Sequence, residues 1–356
     1  VDQRQLIGAA TRDVTVERLA RASSAEKKLG EIYASELAKI DSDDETTAEL
    51  AKRAGQIFAD VGEVESALKW YRRAHAFEPE SEELFEAIER LLVKEGRHEE
   101  HVTLMRAALD YREGSRKLAL YHTIGELEES KLDRKEAAIE TYRAALDTDT
   151  VDERSLDRLT VLYKDLDRNK DLADLYERRI DAAETPEKAA PFRLALSRLW
   201  RDKLGDESAA IDQLESITGD LPWHAEAIAD LEAFTKNDAH KARVIEILGP
   251  LYERDEANWP RTIENNERRL PLTDDKSAKA AILRENANLY ESRGNDKKAA
   301  LESIKRAFDV DPEDSETLAE LERLARDLKA FESFAASLEQ ALAHVDDDVA
   351  KRDLLA

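Results

Sequence analysis

The chain has 356 residues, with 80 acidic and 55 basic side chains, a formal net charge of −25, one methionine and no cysteine. Disulfides, thiolate metal sites and cysteine nucleophiles are therefore excluded, no apolar run reaches the roughly 18 residues of a membrane span, and the charge opposes unaided contact with nucleic-acid phosphate. Eleven glycines and eight prolines are too few for a turn-rich sheet protein, which leaves an acidic all-α chain.

Residues 1–47 read as N-terminal capping helices, over about 14–40, followed by an acidic linker, Asp41-Ser42-Asp43-Asp44-Glu45. Val1 is not followed by a basic segment and an apolar one, so no secretory signal is expected and the expected placement is cytoplasmic. Export, with the leader absent from this chain, is the alternative. Leu29-Gly30-Glu31-Ile32-Tyr33 has the spacing of small and large residues found further on, but no second helix follows it in register.

From Ala48 the pattern becomes regular. Gly55, Phe58, Ala67, Tyr71, Ala74 and Pro79 occupy positions 8, 11, 20, 24, 27 and 32 of a 34-residue unit, split by the break Val61-Gly62-Glu63. A small residue at position 8 lets the first helix, A, approach the second, B, and a large one at 11 fills the space beside it. Alanines at 20 and 27 allow close packing on helix B, and proline ends the unit. Next, Ser81 reads as an N-cap, and Leu84, Ile88, Leu91 and Leu92 share one helical face. Leu92, Met105 and Ala108 make a weaker copy of the unit. Ala138, Tyr142 and Ala145 restore the spacing, with Gly125 in the small position, and a second weak copy runs through Tyr163, Leu172 and Tyr176.

Thr185-Pro186 reads as an N-cap with proline in the first turn. Ala210, Leu214, Ile217 and Pro222 follow as a third strong copy, with Trp200 in the large position and a one-residue insertion at Leu204-Gly205-Asp206. The fourth is Ala300, Ile304, Ala307 and Pro312, with Tyr290 in the large position. Successive strong copies lie 71, 72 and 90 residues apart. The longer last interval predicts an extra helix within 223–273, giving helices near 224–236, 240–254 and 260–271, the last opening at Trp259-Pro260. Leu318, Leu321, Leu324 and Leu328, then Phe331, Phe334, Leu338 and Leu342, form two final apolar faces. Residues 344–356 read as a polar cap and tail.

This arrangement resembles the tetratricopeptide repeat family over roughly residues 45–343, although Ala51 stands where tryptophan is expected at position 4 and Thr150 where one copy should carry proline. The resemblance implies an all-α, right-handed α-α superhelix of stacked antiparallel helix pairs, about eight hairpins over 48–343. It also implies a concave groove lined by helix A, with positions 2, 5, 6, 9, 12 and 13 exposed. In the best copy these include Lys52, Arg53 and Gln56. In the unit beginning near Ala280 they include Arg284, Asn288 and Glu291. Lys52, Arg53, Gln56, Arg284 and Asn288 are the candidate peptide-binding residues. Arg284 and Asn288 lie one turn apart and could hold a peptide carboxylate or backbone. The intervening copies offer His122, Thr123 and Glu126, then Leu194, Ala195 and Arg198, so the full carboxylate clamp of some family members is missing.

No phosphate-cradling glycine loop, dinucleotide fingerprint, HExxH or nucleophile elbow is present. His98 and His101 read as two exposed histidines at a helix start rather than a metal edge. Asp309 to Glu320 has the length of a calcium loop, but Asp314 stands where the turn needs glycine. Tyr71, Tyr142, Tyr176, Trp200, Tyr252 and Tyr290 read as core rather than as a stacking platform, and Trp223 as partly exposed. The expected function is a non-catalytic scaffold binding another protein or peptide along the concave groove. The charge favours partners with basic or neutral segments; no nucleic acid, membrane insertion, cofactor or metal is expected. The alternatives are a rigid spacer in a larger assembly, or an enzyme subunit with a groove site, which would need a histidine–carboxylate cluster drawn from His122, His224 and His240.

Overall fold

Every regular element among the described residues is a helix, and most follow the spacing of apolar residues in the sequence. The computed structural model describes residue 18 and residues 20–22, 24–40 and 44–344. The start of the expected N-terminal cap, linker residues 41–43 and the tail from 345 lie outside the described residues. Two units divide the chain at Arg168 and Asn169.

The first unit holds α1 (Glu26–Leu37), α2 (Glu45–Asp60), α3 (Val64–Phe77), α4 (Glu82–Lys94), α5 (His98–Ala108), α6 (Gly114–Ser130), α7 (Lys135–Thr148) and α8 (Glu153–Asp165). The Asp44 side chain accepts the Thr47 N–H at 2.8 Å and so caps the positive end of α2. Gly62, at φ 79°, closes the turn into α3. The position-8 glycines are explained by contact: a methyl group on Gly55 would lie 2.7 Å from the Tyr71 ring, and one on Gly125 2.6 Å from the Tyr142 ring. Ala51, Ala54, Ala67 and Ala74 are buried between α2 and α3, in one cluster with Leu29, Tyr33 and Leu37 of α1 and Leu84, Ile88 and Leu92 of α4. The weak copy is core as well, since Met105 and Ala108 pack with Phe85, Val102 and Ile124. Ser81 is the N-cap of α4, in extended backbone, though its side chain makes no capping bond.

The second unit holds α9 (Asn169–Asp181), α10 (Pro186–Leu199), α11 (Glu207–Asp220), α12 (Ala225–Phe234), α13 (Lys241–Glu253), α14 (Trp259–Arg269), α15 (Lys276–Ser292), α16 (Lys297–Val310), α17 (Ser315–Leu328) and α18 (Phe331–His344). Thr185 accepts the Lys188 N–H, and Pro186 follows in the first turn. The one-residue insertion at Leu204-Gly205-Asp206 is taken up by a π-helical turn, Trp200–Leu204, ending at Gly205 with φ 73°. A π turn closes i→i+5 bonds where an α-helix closes i→i+4, so it takes in one extra residue. Trp200 and Tyr290 are half-buried and pack against the core clusters from their edge, and the Tyr290 ring meets Trp259 edge-on at 6.1 Å. Helices α12, α13 and α14 occupy the interval of the long repeat spacing. α14 is fastened by buried amides: Asn266 donates to Asn286 Oδ1 of α15 at 2.9 Å and Asn265 to the Ile245 carbonyl of α13 at 3.1 Å.

The four strong copies in the sequence are four closely packed helix pairs, α2/α3, α6/α7, α10/α11 and α15/α16. Their position-20 alanines, Ala67, Ala138, Ala210 and Ala300, are completely buried. Where position 8 is not glycine the approach is met differently: the Ser197 hydroxyl donates to the Ala210 carbonyl at 2.9 Å.

Candidate functional site

Each unit has one cleft that contains expected binding residues. In the first unit a cleft of about 290 Å³ lies between α2 and α4. Lys52 pairs there with Glu83, and Arg53 Nε donates to Glu49 at 3.1 Å. Gln56 accepts the Tyr71 hydroxyl at 3.0 Å and donates to Asp60 at 2.7 Å. Burial pushes the Tyr71 phenol up to about 12. Arg90 is exposed on the same wall and makes no ion pair among the described residues.

The second unit has a larger cleft of about 920 Å³ between α15 and α17. Arg284 Nη1 lies 3.2 Å from Asp314 and also pairs with Glu316. One turn further on, Asn288 is exposed and its side chain makes no hydrogen bond to another described residue. Arg323 is gripped on both edges. Its Nη1 and Nη2 donate to Glu291 at 3.1 and 2.6 Å, and its Nε and Nη2 to Glu320 at 3.0 and 2.7 Å. Arg323 thereby holds the Glu291 carboxyl below its ordinary range. Buried Ala287, Ile304 and Leu324 form the apolar floor.

The intervening positions differ from the sequence reading. Leu194 is buried, because α10 turns that side toward Ala210 and Leu214, so it is not a groove residue. His122 bonds Asp152 at 2.7 Å, Glu126 pairs with Arg154, and Arg198 bridges Glu226 at 3.0 Å and Asp230 at 2.8 Å. These bonds share one pattern: a charged residue of one helix A meets its opposite on the next helix A, 28 to 32 residues along the chain. The sequence reading assigned cations to the groove without their partners. The signal that could have found them was an opposite charge one repeat length away.

His101 is buried, not exposed, because α5 turns it inward where its ring bonds Glu89 at 2.9 Å; His98 is half-buried. His224 Nδ1 accepts the Ala227 N–H at 3.2 Å, and His240 lies 3.3 Å from Glu207, so His122, His224 and His240 each have a separate partner. Asp314 is the N-cap of α17, accepting the Glu316 N–H at 3.1 Å. Among the described residues no group of three or more His, Cys, Asp or Glu could hold a metal ion, and no helix is long and apolar enough to cross a membrane. Tyr71, Tyr142, Tyr176 and Tyr252 are buried, and Trp223 is 55% exposed.

Residues 118–151, which span α6 and α7, match the family model for the tetratricopeptide repeat. No curated protein matches the chain. Among solved structures, YrrB, described as a TPR protein with an unusual peptide-binding site, is 14% identical at a TM-score of 0.28, covering 57% of this chain and 99% of that one. A tetratricopeptide repeat protein from Parabacteroides merdae is 14% identical at a TM-score of 0.28, over 78% of this chain and 98% of that one. The C-terminal part of a TPR repeat-containing protein from Cytophaga hutchinsonii is 15% identical at 0.30, over 76% and 98%. The family match falls on the pair in which Gly125 faces Tyr142, and the same small-to-large contact recurs at Gly55 and Tyr71. The chain is a tetratricopeptide-like helical repeat protein.

Proposed function

We propose that the chain is a non-catalytic interaction scaffold that binds a protein or peptide segment in its helix-A clefts, using Lys52, Arg53 and Gln56 in one unit and Arg284 and Asn288 in the other. On this reading the repeats lie within residues 48–343. The observation that carries it is the α15–α17 cleft. It is open, has an apolar floor, and keeps Asn288 uncommitted beside side chains locked in ion pairs. An exposed amide can both donate to and accept from one peptide unit, and helical repeats offer long surfaces of this kind. The scattered histidine partners favour binding over catalysis.

The test is affinity capture on the immobilised chain, followed by titration of the purified captured protein. Ala319→Trp, which fills the cleft, and Asn288→Ala are compared with the native chain. Loss of binding in both variants, with folding intact by circular dichroism, is the expected result. Equal affinity for all three would remove the α15–α17 cleft from the reading.

A further inference from the structure

We propose that the α15–α17 cleft selects an extended segment carrying lysine or arginine side chains. This partner class rests on the reading of the cleft as a binding site and follows from which hydrogen-bonding groups there are already used. Four glutamates, Glu285, Glu291, Glu316 and Glu320, line the cleft against two arginines, Arg284 and Arg323. Of the five N–H donors of a guanidinium, Arg323 directs its Nε, Nη1 and Nη2 groups at Glu291 and Glu320. Arg284 is held by Asp314 and Glu316. A ligand carboxylate would therefore have to displace a protein carboxylate from a bond of the same kind, and would add negative charge where it is already in excess. A ligand ammonium or guanidinium needs no displacement. Each glutamate has two oxygens able to accept several bonds, and among the described residues the Glu285 side chain accepts from Asn266 alone, at 3.2 Å.

The backbone of such a segment also has a receptor. Asn288 stands one turn beyond Arg284 on α15, and Ala319, exposed on the facing wall of α17, leaves room for a chain to lie beside it. The α2–α4 cleft provides an internal contrast. There Glu49, Glu83 and Glu86 are balanced by Lys52, Arg53 and Arg90, so the same argument gives that cleft no preference for cations.

The experiment measures fluorescence anisotropy of three labelled peptides of equal length against the full chain, with lysine, glutamate or glutamine alternating with alanine. The proteins are the native chain, Glu285→Gln/Glu320→Gln, Ala319→Trp, and Glu80→Gln/Glu113→Gln as a charge-matched control at exposed positions outside both clefts. The lysine peptide should bind the native chain and the control equally, weaken as salt rises, and lose about tenfold or more in the other two variants. Equal binding of the lysine peptide to all four proteins would mean that it reads the net charge of the chain, and would overturn the proposal. Binding of the glutamate or glutamine peptide that Ala319→Trp abolishes would overturn the preference for cations while leaving the cleft as a binding site. No binding sensitive to Ala319→Trp would overturn both.

Discussion

Gly125 and Tyr142 show how much a single contact decides. The ring fills the space a side chain on Gly125 would need, so helix A can approach helix B only with no Cβ at that position. Gly125→Ala should cost about 1–3 kcal/mol in urea denaturation, the usual range for overpacking. Gly219→Ala is the matched control. Its added methyl meets nothing within 4 Å near the end of α11, and it should be neutral or stabilising by up to about 1 kcal/mol. Burial also pushes the phenols of Tyr71 and Tyr142 up to about 12. A tyrosine raised in the folded state stabilises it fully below the ordinary value near ~10, and that contribution is lost as pH rises toward the folded value. Absorbance titration should find the phenols of Tyr71, Tyr142 and Tyr252, all raised chiefly by burial, ionising late and together with unfolding. Early ionisation of all nine tyrosines in a chain still folded by circular dichroism would contradict it. Gly125 was legible in the sequence because its position repeats. The buried Glu128 of α6, bonded by Arg106 and Thr141 at 2.7 Å each, was not, because its two partners come from α5 and α7 and no spacing links them.

Among the elements, helices are legible where a face repeats. The insertion at Leu204-Gly205-Asp206 could be counted in the sequence, but its accommodation as a π turn depends on backbone bonding, such as Asp206 N–H to the Trp200 carbonyl at 3.0 Å. α14 was legible as an extra interval but not in the way it is held. Its buried face presents Asn265 and Asn266, which read as solvent residues in a sequence. Asn286 receives a hydrogen bond from Asn266 and donates to Glu267 at 3.2 Å, so Asn286→Ala takes an acceptor from buried Asn266 and a donor from half-buried Glu267. It should cost about 1–3 kcal/mol and raise hydrogen exchange in α14 more than in α17. Unchanged exchange in α14 would show that the amides do not fasten this helix.

For the molecule as a whole, the acid excess has two uses visible in each unit: capping helix starts, as at Asp44, Asp152 and Asp206, and binding the arginines and lysines of the next repeat. Hydrogen bonds from Arg97, Arg306 and Arg323 hold Glu100, Glu267 and Glu291 below the ordinary glutamate range. A depressed carboxyl stabilises the fold above its unfolded value and loses that contribution as pH falls through its folded one. Stability should therefore fall as pH drops below ~4, and Glu267→Gln should flatten the acid limb of that profile. An identical acid limb in the variant would remove the Arg306–Glu267 pair from the explanation.

The central claim is that each hairpin is stable because its neighbours cover it, as repeat proteins require. Hydrogen–deuterium exchange of Gly125→Ala against the native chain tests it most directly. Exchange should rise most in α6 and α7, then in the adjoining α5 and α8, and least in α2. A rise confined to α6 and α7, with α5 and α8 unchanged, would contradict the account.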